Sequence, residues 1–561
     1  MNHTTSQQRI VIIGGVAGGA SAAARARRVN AKAEIIVLEK GPHISFANCG
    51  LPYHIGGDIA KRESLLVATP ELFYKRFRID IRTLQEAISI DRTQKQVSVK
   101  NHATGETYSL AYDKLILATG SEPLRPSFYP SQAPNAFQLW TLSDLDRVMN
   151  YLKTNAVKRV TVVGAGFVGL ETVEQLQRRG IAVDLLERAP QVLGQLDREM
   201  ALPIQQELTR HGVNVYVNAE LIKFDFDGDR IVAVHLADGT PLDSDMVLIG
   251  AGVRPRIELA QAAGIELGTR GIKVNEFMQT NDPDIYAVGD IAEYTHRVTG
   301  LPQLLPLAGP ANRSGRVAGE HAAGNSADSN IRARRTPMGT VLGTAIVRVF
   351  DLTAACTGLS ERLCKLNKMA YHSVIIQAPH HASYFPGAKN LTLKLIYAPD
   401  SGKILGASAI GAEGVDKRID VIATTMQFDG TVYDLAELDL AYAPPYGSAK
   451  DPVHMAAFAA CNDLQNWPRV VEPDFNLEGC QVVDVRTAKE RETLPLPNAI
   501  GIPVDEIASR WQELDNTRPT VVVCHSGKRA HVAACWLKGL GFKDVKNLSG
   551  GMSIRKLFST Q

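Results

Sequence analysis

The same local grammar occurs twice in this chain, and it leaves little freedom in the fold. Ile10-Val11-Ile12-Ile13 is a short apolar run that ends in Gly14-Gly15-Val16-Ala17-Gly18-Gly19, passes into an alanine-rich helical stretch to Arg28, and returns from Ala33 to Leu38, stopping on Glu39. Arg159-Val160-Thr161-Val162-Val163 leads likewise into Gly164-Ala165-Gly166-Phe167-Val168-Gly169, a helix to Arg179, and Val183-Asp184-Leu185-Leu186-Glu187. Buried strand, glycine turn, helix and a second strand closed by an acid make a nucleotide-binding βαβ unit. In the second copy Gly164 permits the tight turn, Gly166 lets backbone approach a pyrophosphate, and Gly169 brings helix onto strand. Glu187 follows at roughly 20 residues, where an acid accepts from ribose hydroxyls and repels a 2′-phosphate. NADH is therefore expected over NADPH, with Arg188 working against that preference. In the first copy Val16 replaces the middle glycine, so that copy needs support from elsewhere.

The support comes from two further strand ends. Leu115-Ile116-Leu117-Ala118-Thr119-Gly120 and Ile285-Tyr286-Ala287-Val288-Gly289-Asp290 both run an apolar strand into a glycine, the second offering an acid. A chain of 561 residues is too long for one core. The expected class is α/β: a first nucleotide-binding domain from 1–122 and 256–335, a second from 123–255, and an α+β domain at 336–460. A linker at 461–474, marked by Pro468 and Pro473, then leads to a small α/β domain at 475–561. A net charge of +2 argues against a nucleic-acid or membrane-surface role, and no apolar run is long enough to span a bilayer. The polar start, leading straight into a strand, predicts no signal peptide. Seven scattered cysteines predict a reducing, cytoplasmic setting rather than a disulfide framework.

Two of those cysteines stand where a thiol does chemistry. Cys49 lies in Ser45-Phe46-Ala47-Asn48-Cys49-Gly50-Leu51-Pro52-Tyr53, and no other cysteine occurs before Cys356, so a local dithiol is excluded. A lone thiol there cycles through a mixed disulfide or a sulfenic acid. The glycine runs with Glu39, Thr119-Gly120 and Gly289-Asp290 resemble the flavoprotein reductases with two dinucleotide-binding domains. Within them the run Gly14 to Arg28 and the Cys49 segment are similar to coenzyme A disulfide reductases, a likeness extending over roughly residues 9–460. It includes Tyr384 in His381-Ala382-Ser383-Tyr384, Tyr442 in Ala441-Tyr442-Ala443-Pro444-Pro445-Tyr446, and Lys450.

That resemblance implies FAD on Gly14, Gly15, Ala17, Gly18, Glu39, Thr119, Gly120, Gly289 and Asp290, and NADH on Gly164, Gly166, Gly169 and Glu187. Cys49 becomes the redox nucleophile; Ser21, Arg28, Ser45, Asn48 and Lys450 contact coenzyme A, as tightly bound cofactor or substrate. Tyr384 and Tyr442 reach the thiol from a second subunit, so the 336–460 domain is a dimerisation domain and the active sites of a homodimer are shared. Phe77 stands where some relatives carry a lysine, and Asn312 where some carry a histidine.

Cys524 belongs to a different pattern. Cys524-His525-Ser526-Gly527-Lys528-Arg529, between an apolar strand and a helix, resembles the active-site loop of rhodanese, supported by Asp484-Val485-Arg486 and Asn547-Leu548-Ser549-Gly550-Gly551. Loop amides, a helix N-terminus and the cations Lys528 and Arg529 favour a thiolate or persulfide anion, with Arg529 assigned to the catalytic set. The joint expectation is an NADH-dependent reductase of coenzyme A persulfide, polysulfide and coenzyme A disulfide whose rhodanese domain relays sulfane sulfur. An NADH oxidase or peroxidase working through a Cys49 sulfenic acid, and a redox-sensing sulfur carrier, are the alternatives. Oxidases and peroxidases of this kind often carry a histidine in the first helix region, and Ala17-Gly18-Gly19 has none.

Overall fold

In the computed structural model, residues 7–324 and 337–558 are described. Arg9–Ile13 runs between Lys114–Leu117 and Glu34–Glu39, with Ile285–Ala287 and Asp80–Thr83 at the two edges; all five strands are parallel. Both faces are covered, which is why these strands read as continuous apolar runs rather than alternating ones. The helices Ala17–Val29 and Ala308–Gly324 cross against this sheet so closely that they touch through small residues, Gly18 and Ala22 facing Gly315 and Gly319. The second glycine-turn unit repeats the plan with Ala182–Leu186, Arg159–Val163, Met246–Ile249 and Ala136–Phe137, again all parallel.

A third sheet is antiparallel: Ala345–Val349, Leu352–Gly358, Ile404–Gly411, Asn390–Tyr397 and, at its edge, His372–Pro379. A fourth, parallel sheet orders Arg469–Val471, Val545–Leu548, Thr520–Val523, Gln481–Asp484 and Ile500–Gly501. The segment expected as a linker thus holds the end of the helix Pro452–Leu464 and the outer strand of this last sheet. The strand is only three residues long and rich in neither glycine nor alternation, so nothing local announces it.

The chain forms two compact units, one from Met1–Arg188 with Ala219–Gly343, the other from Ala189–Asn218 with Thr344–Gln561. Residues 189–218, expected inside the second nucleotide-binding domain, therefore group with the third, antiparallel sheet. The reason is a buried charge cluster. Lys394, fully enclosed, lies 3.0 Å from Asp197 and 2.7 Å from Glu361 and also contacts Glu199. Enclosure opposes its charge, but the three surrounding carboxylates hold the ammonium well above its usual range. The helix Arg198–Arg210 adds buried Met200, Leu202 and Ile204 to the same seam.

Candidate active site

The two glycine turns are built alike. Gly14 and Gly164 both have φ of +103°, and a Cβ at either would meet a carbonyl oxygen of the neighbouring strand end, Ala118 O at 2.1 Å and Gly250 O at 2.3 Å. Only glycine fits such a turn. The helices that follow, Ala17–Val29 and Phe167–Arg178, start without a side-chain cap, so their first amides are open to an anion. Each acid at the second strand end reaches back to its turn: Gly15 N–H donates to Glu39 at 2.8 Å, and Ala165 N–H donates to Glu187 at 2.8 Å. Burial pushes the Glu39 carboxyl up, against the pull of Gly15 N–H, Gly41 N–H and Arg256. Asp290 is raised by burial too, and accepts a 2.5 Å bond from Ser121 Oγ. Thr119 Oγ1 donates to Arg256 O at 2.7 Å, fixing the Thr119-Gly120 turn. Open helix amides beside an acid that reaches back to the turn fit a dinucleotide pyrophosphate and ribose at both glycine turns.

Cys49 sits in the single turn Asn48–Gly50 that opens the short helix Leu51–Gly56. The carboxamide oxygen of Asn48 accepts from Cys49 N–H at 3.0 Å and lies 3.7 Å from Sγ, so Asn48 serves the thiol directly. The residue is exposed, yet its thiol end is crowded. Burial, then the carboxylate of Glu171, and more weakly Asp290, push the Cys49 thiol above its ordinary range, against its own backbone N–H. Glu171 comes from the helix of the second glycine turn and accepts from Tyr53 OH at 2.9 Å. Tyr53 is one helical turn beyond Cys49, so this bond ties the thiol's helix to that of the second glycine turn, as does Arg179 by donating to Ile55 O at 2.9 Å.

Ser21, Arg28 and Ser45 line one cavity of about 470 Å³ together with Arg25, Arg313 and Arg316. Ser21 Oγ donates to Asn312 Oδ1 at 2.6 Å across its floor. Arg25 is neutralised by Glu320, whereas Arg28, Arg313 and Arg316 stay exposed, Arg28 lying 5.4 Å above the Phe77 ring. Phe77, the departure from relatives with a lysine, thus supplies a platform for a guanidinium instead of a charge. Asn48 does not line this cavity.

In the second unit, Tyr384 and Tyr442 meet OH to OH at 3.0 Å although 58 residues apart, and both rings are exposed. Their hydrogen bond pushes the Tyr384 phenol up. Lys450 is exposed in the loop before the helix Pro452–Leu464.

Cys524 closes the strand Thr520–Val523 and is buried. Gly527 N–H donates to its Sγ at 3.1 Å, and the helix Lys528–Gly539 begins just beyond, again without a side-chain cap. Arg529 gives two nitrogens to Glu490, at 2.8 and 2.6 Å, and its charge also interacts with the Cys524 sulfur. That pairing pulls the Glu490 carboxyl down to about 2 and makes Arg529 a brace of the loop's flank. The sequence offered no sign of this partner, since Glu490 reads locally as the capping-box acid of the helix Ala488–Thr493. Glu171 has no local pattern linking it to Cys49 either, whereas Tyr53 stands one turn from Cys49 within the same segment and only its partner is distant. Arg313 and Arg316 do carry a faint signal, two cations with helical spacing after Asn312. Among the remaining thiols, burial first and Asp197 second push both Cys356 and Cys364 up to about 11.

Comparison with known proteins agrees with this geometry. Residues 8–313 match the pyridine nucleotide-disulphide oxidoreductase family, 344–452 its dimerisation domain, and 472–554 a rhodanese-like domain. Coenzyme A disulfide reductase of Staphylococcus aureus (strain bovine RF122 / ET3-1) is 37% identical over 453 residues, 81% of this chain and 99% of that protein. The structure of reduced CoADR-RHD from Bacillus anthracis superimposes with a TM-score of 0.94 at 42% identity, covering 98% of both chains. A NAD-dependent persulfide reductase from A. fulgidus gives 0.90 at 36% identity, over 98% of this chain and 100% of that one. Two nucleotide turns, one lone thiol beside them and a second thiol in a loop of amides therefore make this chain an oxidoreductase of the pyridine nucleotide-disulphide family, a homologue of the coenzyme A disulfide reductases that carries a rhodanese domain.

Proposed function

We propose that the chain uses NADH to reduce coenzyme A persulfide, polysulfide and coenzyme A disulfide through Cys49, releasing hydrosulfide from the first two. The observation that carries this reading is the lone Cys49 thiol in the same unit as a cavity with three exposed arginines. Exposed guanidiniums suit the phosphates of a coenzyme A substrate, and a thiol with no neighbouring cysteine must complete its disulfide with the substrate. Attack of the Cys49 thiolate on the inner sulfur of a coenzyme A persulfide breaks the sulfur–sulfur bond. Hydrosulfide leaves with the electron pair, and a Cys49–coenzyme A mixed disulfide remains. When bound in the two glycine-turn sites, NADH and FAD supply the two electrons and one proton that, with a solvent proton, return this disulfide to two thiols. Glu187 sets the preference for NADH by placing a carboxylate where a 2′-phosphate would lie. Tyr384 and Tyr442, exposed and paired, are the groups a second subunit presents to the thiol, so the working form is a homodimer. Cys524 takes sulfane sulfur from polysulfide and hands it on as a persulfide. Seven scattered cysteines without a disulfide framework suit a reducing compartment, and we place the enzyme in the cytoplasm on that ground.

The test follows NADH oxidation and hydrosulfide release with each acceptor. Cys49→Ser should abolish turnover on all of them. Cys524→Ser should spare coenzyme A disulfide and depress polysulfide. Hydrosulfide production that survives Cys49→Ser would overturn the reading, and so would a parent enzyme that consumes NADH with peroxide but with no sulfur acceptor.

A further inference from the structure

The rhodanese loop does not stand alone within its unit. Behind Cys524, the short helix Gly551–Arg555 holds the loop's backbone: Met552 N–H donates to Cys524 O at 2.8 Å and Ser553 N–H to His525 O at 2.9 Å. The same few residues are gripped from the other side by the edge strand of the dimerisation sheet, His372–Pro379. Ile375, opposite Lys394 in that sheet, donates its N–H to Ser549 Oγ at 2.7 Å and accepts at its carbonyl from Gly550 N–H at 3.3 Å. Two places along, Gln377 Oε1 accepts from Ser553 Oγ at 3.2 Å. Ser553 therefore holds the Cys524 loop with its amide, and its hydroxyl is shared between Gly550 O at 2.9 Å and the strand's Gln377. Leu202, Ile375, Ile554 and Leu557 seal the contact with a buried apolar cluster. A bare sheet edge is satisfied in this way by the loop it supports.

The strand continues past Pro379 into the loop that carries Tyr384. His380 O accepts from Arg418 at 2.6 Å, Ala382 N–H donates to Gly447 O at 2.9 Å, and Tyr384 meets Tyr442. Ile375 and Pro379 are about 13 Å apart along an extended chain.

We propose that the strand His372–Pro379 is a shared frame for sulfur transfer, with Ser549, Ser553 and Gln377 as positioning residues that set the shape of the Cys524 loop. The sulfurtransferase thiol is thereby held at a fixed place on the dimerisation domain that bears the tyrosine pair, and the transfer loop is complete only when docked there. This rests on the relay role given to Cys524 above. In the transfer itself the Cys524 thiolate attacks the sulfane sulfur of the donor. With thiosulfate as donor, sulfite leaves with the bonding pair and a Cys524 persulfide forms; cyanide then removes the outer sulfur as thiocyanate and regenerates the thiolate.

The experiment uses the full-length, flavin-loaded enzyme with thiosulfate and cyanide, reading thiocyanate. Ser549→Ala leaves the Ile375 N–H without an acceptor, and kcat should fall on the order of tenfold with the KM for thiosulfate unchanged. Ser549→Thr, which keeps the hydroxyl, should restore kcat, and coenzyme A disulfide reduction should stay within about twofold of the parent in both variants. If Ser549→Ala does not accumulate as folded protein, Gln377→Ala, which removes the carboxamide from Ser553, should show a smaller loss of about threefold. A parent-like kcat in Ser549→Ala and Gln377→Ala, or a loss that threonine does not rescue, overturns the frame and leaves the relay standing. A parent enzyme that yields neither thiocyanate nor a persulfide on Cys524 overturns both.

Discussion

The crossing of Ala17–Val29 with Ala308–Gly324 makes a sharp test of how the first nucleotide site is held. A methyl group placed at Gly315 would lie 2.1 Å from Gly18 O and 2.9 Å from its carbonyl carbon, both backbone atoms that cannot swing aside. Restoring ordinary contact requires the helices to part by about 1 Å, and forced overpacking of this kind costs up to about 3 kcal/mol. Alanine regains about 1 kcal/mol of helix propensity over glycine, leaving a net loss of about 2 kcal/mol. For a domain of this size that lowers Tm by roughly 4–8 °C. Because Gly18 belongs to the glycine turn itself, parting the helices also moves the open amides, and Gly315→Ala should purify with less flavin. Gly539→Ala is the control: it adds the same methyl to a helix end where nothing lies within 4 Å, and should leave flavin content unchanged and Tm unlowered. Differential scanning calorimetry and flavin absorbance after denaturation read both effects. A Gly315→Ala protein as stable and as yellow as the parent would refute the close-packing argument.

Two further substitutions probe charge. Glu171 is one of the groups that push the Cys49 thiol up, so Glu171→Gln, which keeps the acceptor for Tyr53, should move the pH midpoint of Cys49 alkylation to lower pH; an unchanged or more alkaline midpoint counts against the coupling. Lys394→Met leaves Asp197, Glu199 and Glu361 buried without their cation, a loss of about 3–5 kcal/mol at neutral pH. The stranded carboxyls then have folded-state values above their unfolded ones, so the variant's stability falls as pH rises and recovers on acidification. Urea titrations at pH 5 and pH 8 should show a gap between variant and parent that narrows at the lower pH, and a gap of constant size contradicts the assignment.

What could be read from residues alone was whatever is encoded by short spacing. The φ of a glycine turn, the acid at the next strand's end and a cysteine between strand and helix are local constraints, and each stands where the chain order implied: Glu39 on Gly15, Glu187 on Ala165, Cys524 under Gly527. Even the tyrosine pair was named, although through likeness to a family and not through any period in the sequence. Everything that depended on partners far along the chain had to wait for the packed molecule. Arg529 turns to Glu490, 39 positions away; Lys394 draws residues 189–218 onto the dimerisation sheet; and Ser549 finds Ile375 across 174 positions. A charge or a buried amide takes the partner that packing brings within reach, and its own neighbours in the chain carry no record of which one that is. The immediate setting of each thiol is therefore written in its own segment, while the supports around it arise only when strands and helices close upon one another.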